Sequence, residues 1–122
     1  TEGKKTAKII REFLKINCPI EQLDIFLENF LNKNDIKKNV IRNELPVKSL
    51  SKNGYKIIFS TNFGRELEYY TGMVFEIVST KNKNEIARGG RYDNLLKSLG
   101  SKKNISAVGA AINLNNLSSF TK

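Results

Sequence analysis

Between Gly64 and Asp93 the sequence GRELEYYTGMVFEIVSTKNKNEIARGGRYD gathers side chains suited to hold a small polar ligand. It contains three of the five arginines (Arg65, Arg88, Arg91), three of the four tyrosines (Tyr69, Tyr70, Tyr92) and the one Gly-Gly pair, Gly89-Gly90. Arginine is a planar cation that grips a carboxylate or phosphate with two parallel hydrogen bonds, which lysine cannot do. A free amino acid needs such a cation for its carboxylate and a carboxylate or carbonyl for its ammonium, and a hydroxyl serves as donor or acceptor for its side chain. Arg65, Glu68, Tyr69 and Tyr70 supply these types within six residues. Neighbouring strand residues point to opposite faces. So either the backbone is irregular at Tyr69-Tyr70 or one of the two rings is core. Gly89 and Gly90 allow close backbone approach and, between a strand and a helix, would offer N–H groups beside Arg91 to a carboxylate or phosphate.

The surrounding pattern supplies elements to carry these groups. Ala7, Ile10, Phe13 and Leu14 form one apolar stripe and predict a helix over Glu2 to Ile16, opposite Lys4, Lys8, Arg11 and Lys15. Asn17-Cys18-Pro19 ends it, since the residue before proline is pushed out of the helical region. Pro19 suits the first turn of a second helix carrying Leu23, Phe26, Leu27, Phe30 and Leu31. A short third helix is expected from an Asp35 N-cap, presenting Ile36, Val40 and Ile41. Strands are expected over Tyr55 to Thr61 and Tyr70 to Ser79. A turn at Lys81-Asn84 leads to a returning strand over Glu85 to Arg88. The apolar residues on both faces of Tyr70 to Ser79 argue for a place inside a sheet. A helix follows from Tyr92 to Leu99, with Leu95, Leu96 and Leu99 inward and Gly100 as its stop. Ile105 to Leu114 reads as a tightly packed central strand, and Asn115 starts a last helix. Helices followed by a run of strands joined by a hairpin make this an α+β chain with a largely antiparallel sheet.

At 122 residues the chain has room for one domain or part of one. It opens without Met and directly in an amphipathic pattern, the reading expected of the C-terminal portion of a longer protein. No apolar run approaches the roughly 20 residues of a membrane span, and no signal-peptide layout is present. The single Cys18 can form no internal disulfide, and one free thiol fits a reducing, cytoplasmic compartment. With no His in the chain it has no base to make it a nucleophile. The net charge of +9 comes mostly from lysines spread along the chain and interleaved with Asn and Ile. That distribution reads as a solvated surface, and no nucleic-acid partner is expected.

RELEYYTGMVFE resembles the RGLDYYTGTVFE histidine-recognition segment of histidyl-tRNA synthetases, and GGRYDNLL resembles the GGRYDGL that follows it there. The likeness runs from about Phe59 to Leu117. Two kinds of protein carry it: the synthetases themselves, and the synthetase-like regulatory subunits of ATP phosphoribosyltransferase. It implies the C-terminal strands of a class II aminoacyl-tRNA synthetase-like antiparallel sheet flanked by helices. Residues 1–44 would be insertion or return helices and 45–122 the sheet portion. In the synthetases the segment's arginine contacts histidine and the adenylate, and its tyrosines read the imidazole. Arg65, Tyr69 and Tyr70 take those places. Glu68 stands for the usual Asp, and Glu66 for a Gly, which places a negative charge where an adenylate would lie.

The resemblance also separates the two kinds of protein. The class II motif near the C-terminus ends in a pattern like GFAIGLERL, whose arginine stacks on ATP. Here VGAAINLNNL puts Asn115-Asn116 in place of Glu-Arg. Asparagine supplies neither charge nor planar cation. The end at Lys122, with no anticodon-binding domain, is read the same way. The resemblance therefore implies a non-catalytic regulatory subunit in the first step of histidine biosynthesis. Such a subunit would activate a short-form ATP phosphoribosyltransferase catalytic subunit and take part in feedback inhibition by histidine, as a homodimer within a hetero-oligomer. The alternative is a fragment of a true synthetase. The implied histidine site comprises Arg65, Glu68, Tyr69, Tyr70, Gly89, Gly90 and Arg91, with no catalytic residue, metal or cofactor.

Overall fold

The computed structural model describes residues 1–37, 50, 53–63 and 69–121. Thr1–Phe63 and Gly64–Lys122 form two compact units. The boundary expected at residues 44 and 45 falls outside the described residues.

In the first unit, α1 spans Glu2–Phe13, with Glu2 in its first turn and Arg11 in its last, signs that suit the helix dipole. The apolar stripe predicts a helix through Ile16, but the end tightens. The N–H groups of Lys15 and Ile16 donate to Glu12 O and Phe13 O, each at 3.1 Å. The chain then extends as β1 (Asn17–Pro19), a strand that the sequence pattern does not predict. Ile20–Gln22 is a 3-10 turn, and α2 follows over Leu23–Lys33. Its Leu23, Leu27 and Leu31, spaced four apart, are buried on one face. Asp35 adopts a left-handed φ of 54° instead of an N-cap conformation. The remainder of the expected third helix, with Val40 and Ile41, lies outside the described residues.

The strand expected over 55–61 forms as β2 (Ile58–Ser60) and pairs antiparallel with β1, Cys18 opposite Phe59. Ile16, Cys18, Ile20, Leu23 and Leu27 make the core, joined by Phe13, Phe30, Ile57 and Phe59. Burial pushes the Cys18 thiol above its ordinary pKa. The Thr61 hydroxyl donates to Phe13 O at 2.5 Å and its N–H to Ile16 O at 3.1 Å, closing the end of α1.

The second unit is a three-stranded antiparallel sheet in the order β3 (Val74–Val78), β4 (Glu85–Arg91), β5 (Val108–Ile112). The α+β expectation holds. Among the described residues, however, β4 is the central strand, and the inner places predicted for the strands of β3 and β5 are not met. Their apolar residues remain exposed, Ile77 at 52% and Val108 at 77%. The polar turn between β3 and β4 forms where the sequence predicts it, with Ser79 N–H donating to Asn84 O at 2.9 Å and Lys83 at φ 61°. After β4 comes a single helical turn, α3 (Leu95–Ser98), shorter than predicted, with Leu99 75% exposed instead of inward. Gly100 does act as the stop, at φ +101°, as the Ser101 N–H closes back on Leu96 O at 2.9 Å. The last helix, α4, spans Leu114–Thr121.

Candidate functional site

Gly89 and Gly90 lie inside β4, and the predicted loop between strand and helix is absent. Gly89 pairs with Phe75 and Ala110, and Gly90 with Val74 and Gly109. Their backbone groups belong to the sheet ladder, so they offer no helix-start cradle for an anion. Glycine is needed here because the strands and a ring come too close for a side chain. A Cβ on Gly89 would collide with Gly109 O, and one on Gly90 would sit 2.7 Å from Met73 O and 2.8 Å from the Tyr70 ring. Gly109 has the same requirement, because the Tyr92 hydroxyl occupies the space a Cβ would fill.

The gaps at Gly90 and Gly109 seat Tyr70 and Tyr92, two members of a cluster of three tyrosines. Tyr69 and Tyr70 precede β3, outside any strand, so the irregular backbone that the sequence reading left open is the one adopted. Their ring centroids are 4.6 Å apart, and Tyr92 lies 6.1 Å from Tyr69 and 6.4 Å from Tyr70. Such tilted and edge-on pairs are the favourable geometries for aromatic rings. A side-chain hydrogen bond with Tyr69 raises the pKa of the Tyr70 hydroxyl, and the nearby Arg88 charge works against that rise. The cluster presents hydroxyls, a group type able to donate and accept, beside aromatic faces that favour a cationic or flat partner.

Alternation and register place charged groups on the same sheet face as the cluster. Glu76 opposes Arg88, which opposes Ala111, one step from the Gly90–Gly109 pair that the rings cover. Glu85 reaches this face through a bulge. The register steps from Ile77 opposite Ala87 to Val78 opposite Glu85, leaving Ile86 as the extra residue. In a regular strand, residues three apart point to opposite faces. With the bulge, Arg88 Nε donates to Glu85 Oε2 at 2.7 Å. No signal in the sequence marks this bulge beyond the opposite charges three residues apart.

Arg91 sits apart from the rings. It is odd-numbered in a strand whose even positions 88 and 90 face the cluster, so it lies on the other side. Its Nε donates to both carboxylate oxygens of Asp93 at 2.9 Å. The pair raises the Arg91 pKa and lowers that of Asp93 below its ordinary value. Of the predicted site residues, the structure brings together Tyr69, Tyr70 and Gly90, adds Tyr92, and puts Gly89 and Arg91 on the opposite face. Arg65 and Glu68 lie outside the described residues. Among the described residues no three His, Cys, Asp or Glu side chains group as metal ligands, and no helix is long and apolar enough to cross a membrane.

Asn116 is occupied in holding the fold. Its Nδ2 donates to Glu85 O at 2.7 Å, and its N–H donates to Asn113 Oδ1 at 3.0 Å. Asn113 thereby caps α4, and its own N–H donates to Ile86 O at 2.8 Å. The two asparagines fasten the last helix to the bulged end of β4.

The chain is similar to known proteins along nearly its whole length. A family model described as Histidyl-tRNA synthetase matches residues 2–117. Among the most similar curated proteins are three named ATP phosphoribosyltransferase regulatory subunit. That of Agrobacterium fabrum is 33% identical over 110 residues, covering 86% of this chain and 29% of its own length. That of Brucella ovis is 33% identical over 116 residues, covering 89% and 31%. That of Sinorhizobium fredii is 35% identical over 109 residues, covering 85% and 29%. The chain thus spans about three tenths of the length of these relatives. No solved structure matches it.

Proposed function

The chain belongs to the histidyl-tRNA synthetase family, and from that premise we propose that its parent protein regulates instead of catalysing: it acts as the regulatory subunit of an ATP phosphoribosyltransferase in the first step of histidine biosynthesis. The observation that carries the reading is Asn116. Where the synthetase pattern has an arginine for ATP, this chain has an amide engaged with the Glu85 carbonyl. The names of the relatives from Agrobacterium, Brucella and Sinorhizobium support the same side of the choice.

In this reading the tyrosine face is a histidine sensor. Tyr69 and Tyr70 meet the imidazole with one donor and one acceptor, Gly90 leaves room for them, and Arg65 and Glu68 take the carboxylate and ammonium. The parent works in the cytoplasm, bound to a short-form catalytic subunit that it activates and through which histidine feeds back. The family model's own description favours a second reading, a fragment of a synthetase that activates histidine.

Mixing the full-length parent with a short-form ATP phosphoribosyltransferase tests the proposal. Light scattering should give the mass of a stable complex, and transferase activity should rise. Two separate masses and unchanged activity would mean that the assignment is wrong.

A further inference from the structure

We propose that Thr71, Arg91 and Asp93 form a clamp that positions the tyrosine cluster without touching its ligand. Three hydrogen bonds lace the segment 71–73 to 91–93, and an ion pair braces 91–93 from within. Thr71 N–H donates to Arg91 O at 2.9 Å, and Arg91 N–H donates to Met73 O at 3.0 Å. Asp93 N–H donates to Thr71 Oγ1 at 2.9 Å, and Arg91 Nε donates to both Asp93 oxygens at 2.9 Å. Gly72 lets the chain pass close to the Arg91 stem, where a Cβ would stand 3.2 Å from Cδ. Tyr92 N–H donates to Ala107 O at 2.8 Å, which fastens the far side.

Each ring is within two residues of a clamp member. Tyr69 and Tyr70 run directly into Thr71, and Tyr92 sits between Arg91 and Asp93. Neither Tyr69 nor Tyr70 is in a strand, so no sheet ladder holds their backbone. The Arg91 side chain is 54% exposed, where an ion pair adds little stability. Its use is positional: one guanidinium N–H shared between both oxygens holds the Asp93 carboxylate, and with it the backbone that carries it, beside Arg91. The GGRYD stretch then acts as a brace: Gly90 leaves space for the Tyr70 ring, and Arg91 and Asp93 hold the segment that presents the cluster.

The binding arm of the test rests on the histidine reading above, while the spectroscopic arm does not. In the full-length protein, Thr71→Val keeps the shape but leaves the Asp93 N–H without its acceptor, whereas Thr71→Ser keeps the hydroxyl. Thr71→Val should diminish the tyrosine bands of the near-ultraviolet circular dichroism and weaken histidine binding about three- to tenfold by calorimetry. Thr71→Ser should match wild type within about twofold. Should Thr71→Val fail to fold, Asp93→Asn carries the same expectation. A lower melting temperature with bands and affinity unchanged would overturn the clamp, leaving these residues a purely structural role. If wild type binds no histidine, the sensor reading falls. The tyrosine bands of the two Thr71 variants then still decide the clamp: equal bands refute it and unequal bands uphold it.

Discussion

The two units are held by different means. The first buries Ile16, Cys18, Ile20, Leu23 and Leu27 in a contiguous apolar core, and Leu31 is buried as well. Among its described residues the second buries Ser79, Ile86, Ala87, Gly89 and Gly90, and leaves Phe75, Ile77, Val108 and Ile112 exposed. Its order comes from strand pairing, glycine-permitted close approach and polar clasps at Asp93 and Asn116. A core of large side chains fixes itself by filling space and has no room for a ligand. A sheet with glycines at its centre leaves room above its strands, and here three tyrosines occupy part of it. The tyrosine cluster and the apolar burial are therefore separated along the chain.

Substitutions that act on one unit alone sharpen this contrast. The largest effect is expected for Leu23→Ala. Leu23 is fully buried, and truncation should cost about 2–5 kcal/mol. Denaturant unfolding followed by helical circular dichroism measures it, and a loss below about 1 kcal/mol would mean that the first unit is not core-driven. Gly90→Ala comes next. Its new methyl would press on Met73 O, a backbone atom that cannot swing aside, and should cost about 1–3 kcal/mol. Displacement of Tyr70 should accompany it as a changed tyrosine spectrum. A neutral substitution would contradict the close approach. Smaller again is Asn116→Ala, which removes a neutral hydrogen bond to Glu85 O and should cost about 0.5–1.5 kcal/mol, visible as fraying of α4 in amide exchange.

The smallest effect is electrostatic and touches both units. Glu12 is held below its ordinary pKa chiefly by its hydrogen bond from Lys33, and Asp93 chiefly by that from Arg91. A carboxylate with a lowered folded pKa contributes stability that is fully present above its unfolded value. For Asp that value is about 3.9 and for Glu about 4.3, and the contribution is lost as pH falls through the folded pKa. Carboxyl carbon shifts should therefore titrate below those values at both residues. An ordinary midpoint at Asp93 would mean that Arg91 does not hold it.

The first unit was the easier to read in sequence, because an apolar stripe at helical spacing reports burial directly. Even there β1 was hidden: three residues ending in proline carry no strand pattern, and only the partner β2 makes them one. In the second unit the residue types of the site were legible, while their arrangement was not. Gly89-Gly90 reads as a break, since glycine has no side chain to pack in a strand. Here that absence is what the sheet requires, and only the positions of Tyr70 and Gly109 reveal it. The bulge at Ile86 is a pairing offset between two strands, a property of neither alone. Arg91 looked like a ligand contact by its type, and strand alternation put it on the face away from the rings. Tyr92, by contrast, stands in the same motif, and only its place beside Tyr69 and Tyr70 in the fold marks it as a member of the cluster.

Exchange of labelled pyrophosphate into ATP in the presence of histidine tests the central claim, a synthetase-like parent that no longer activates an amino acid. With the full-length protein, Asn116 in place of an arginine predicts exchange no greater than without histidine. Histidine-dependent exchange above that background would contradict the account and return the chain to the synthetases.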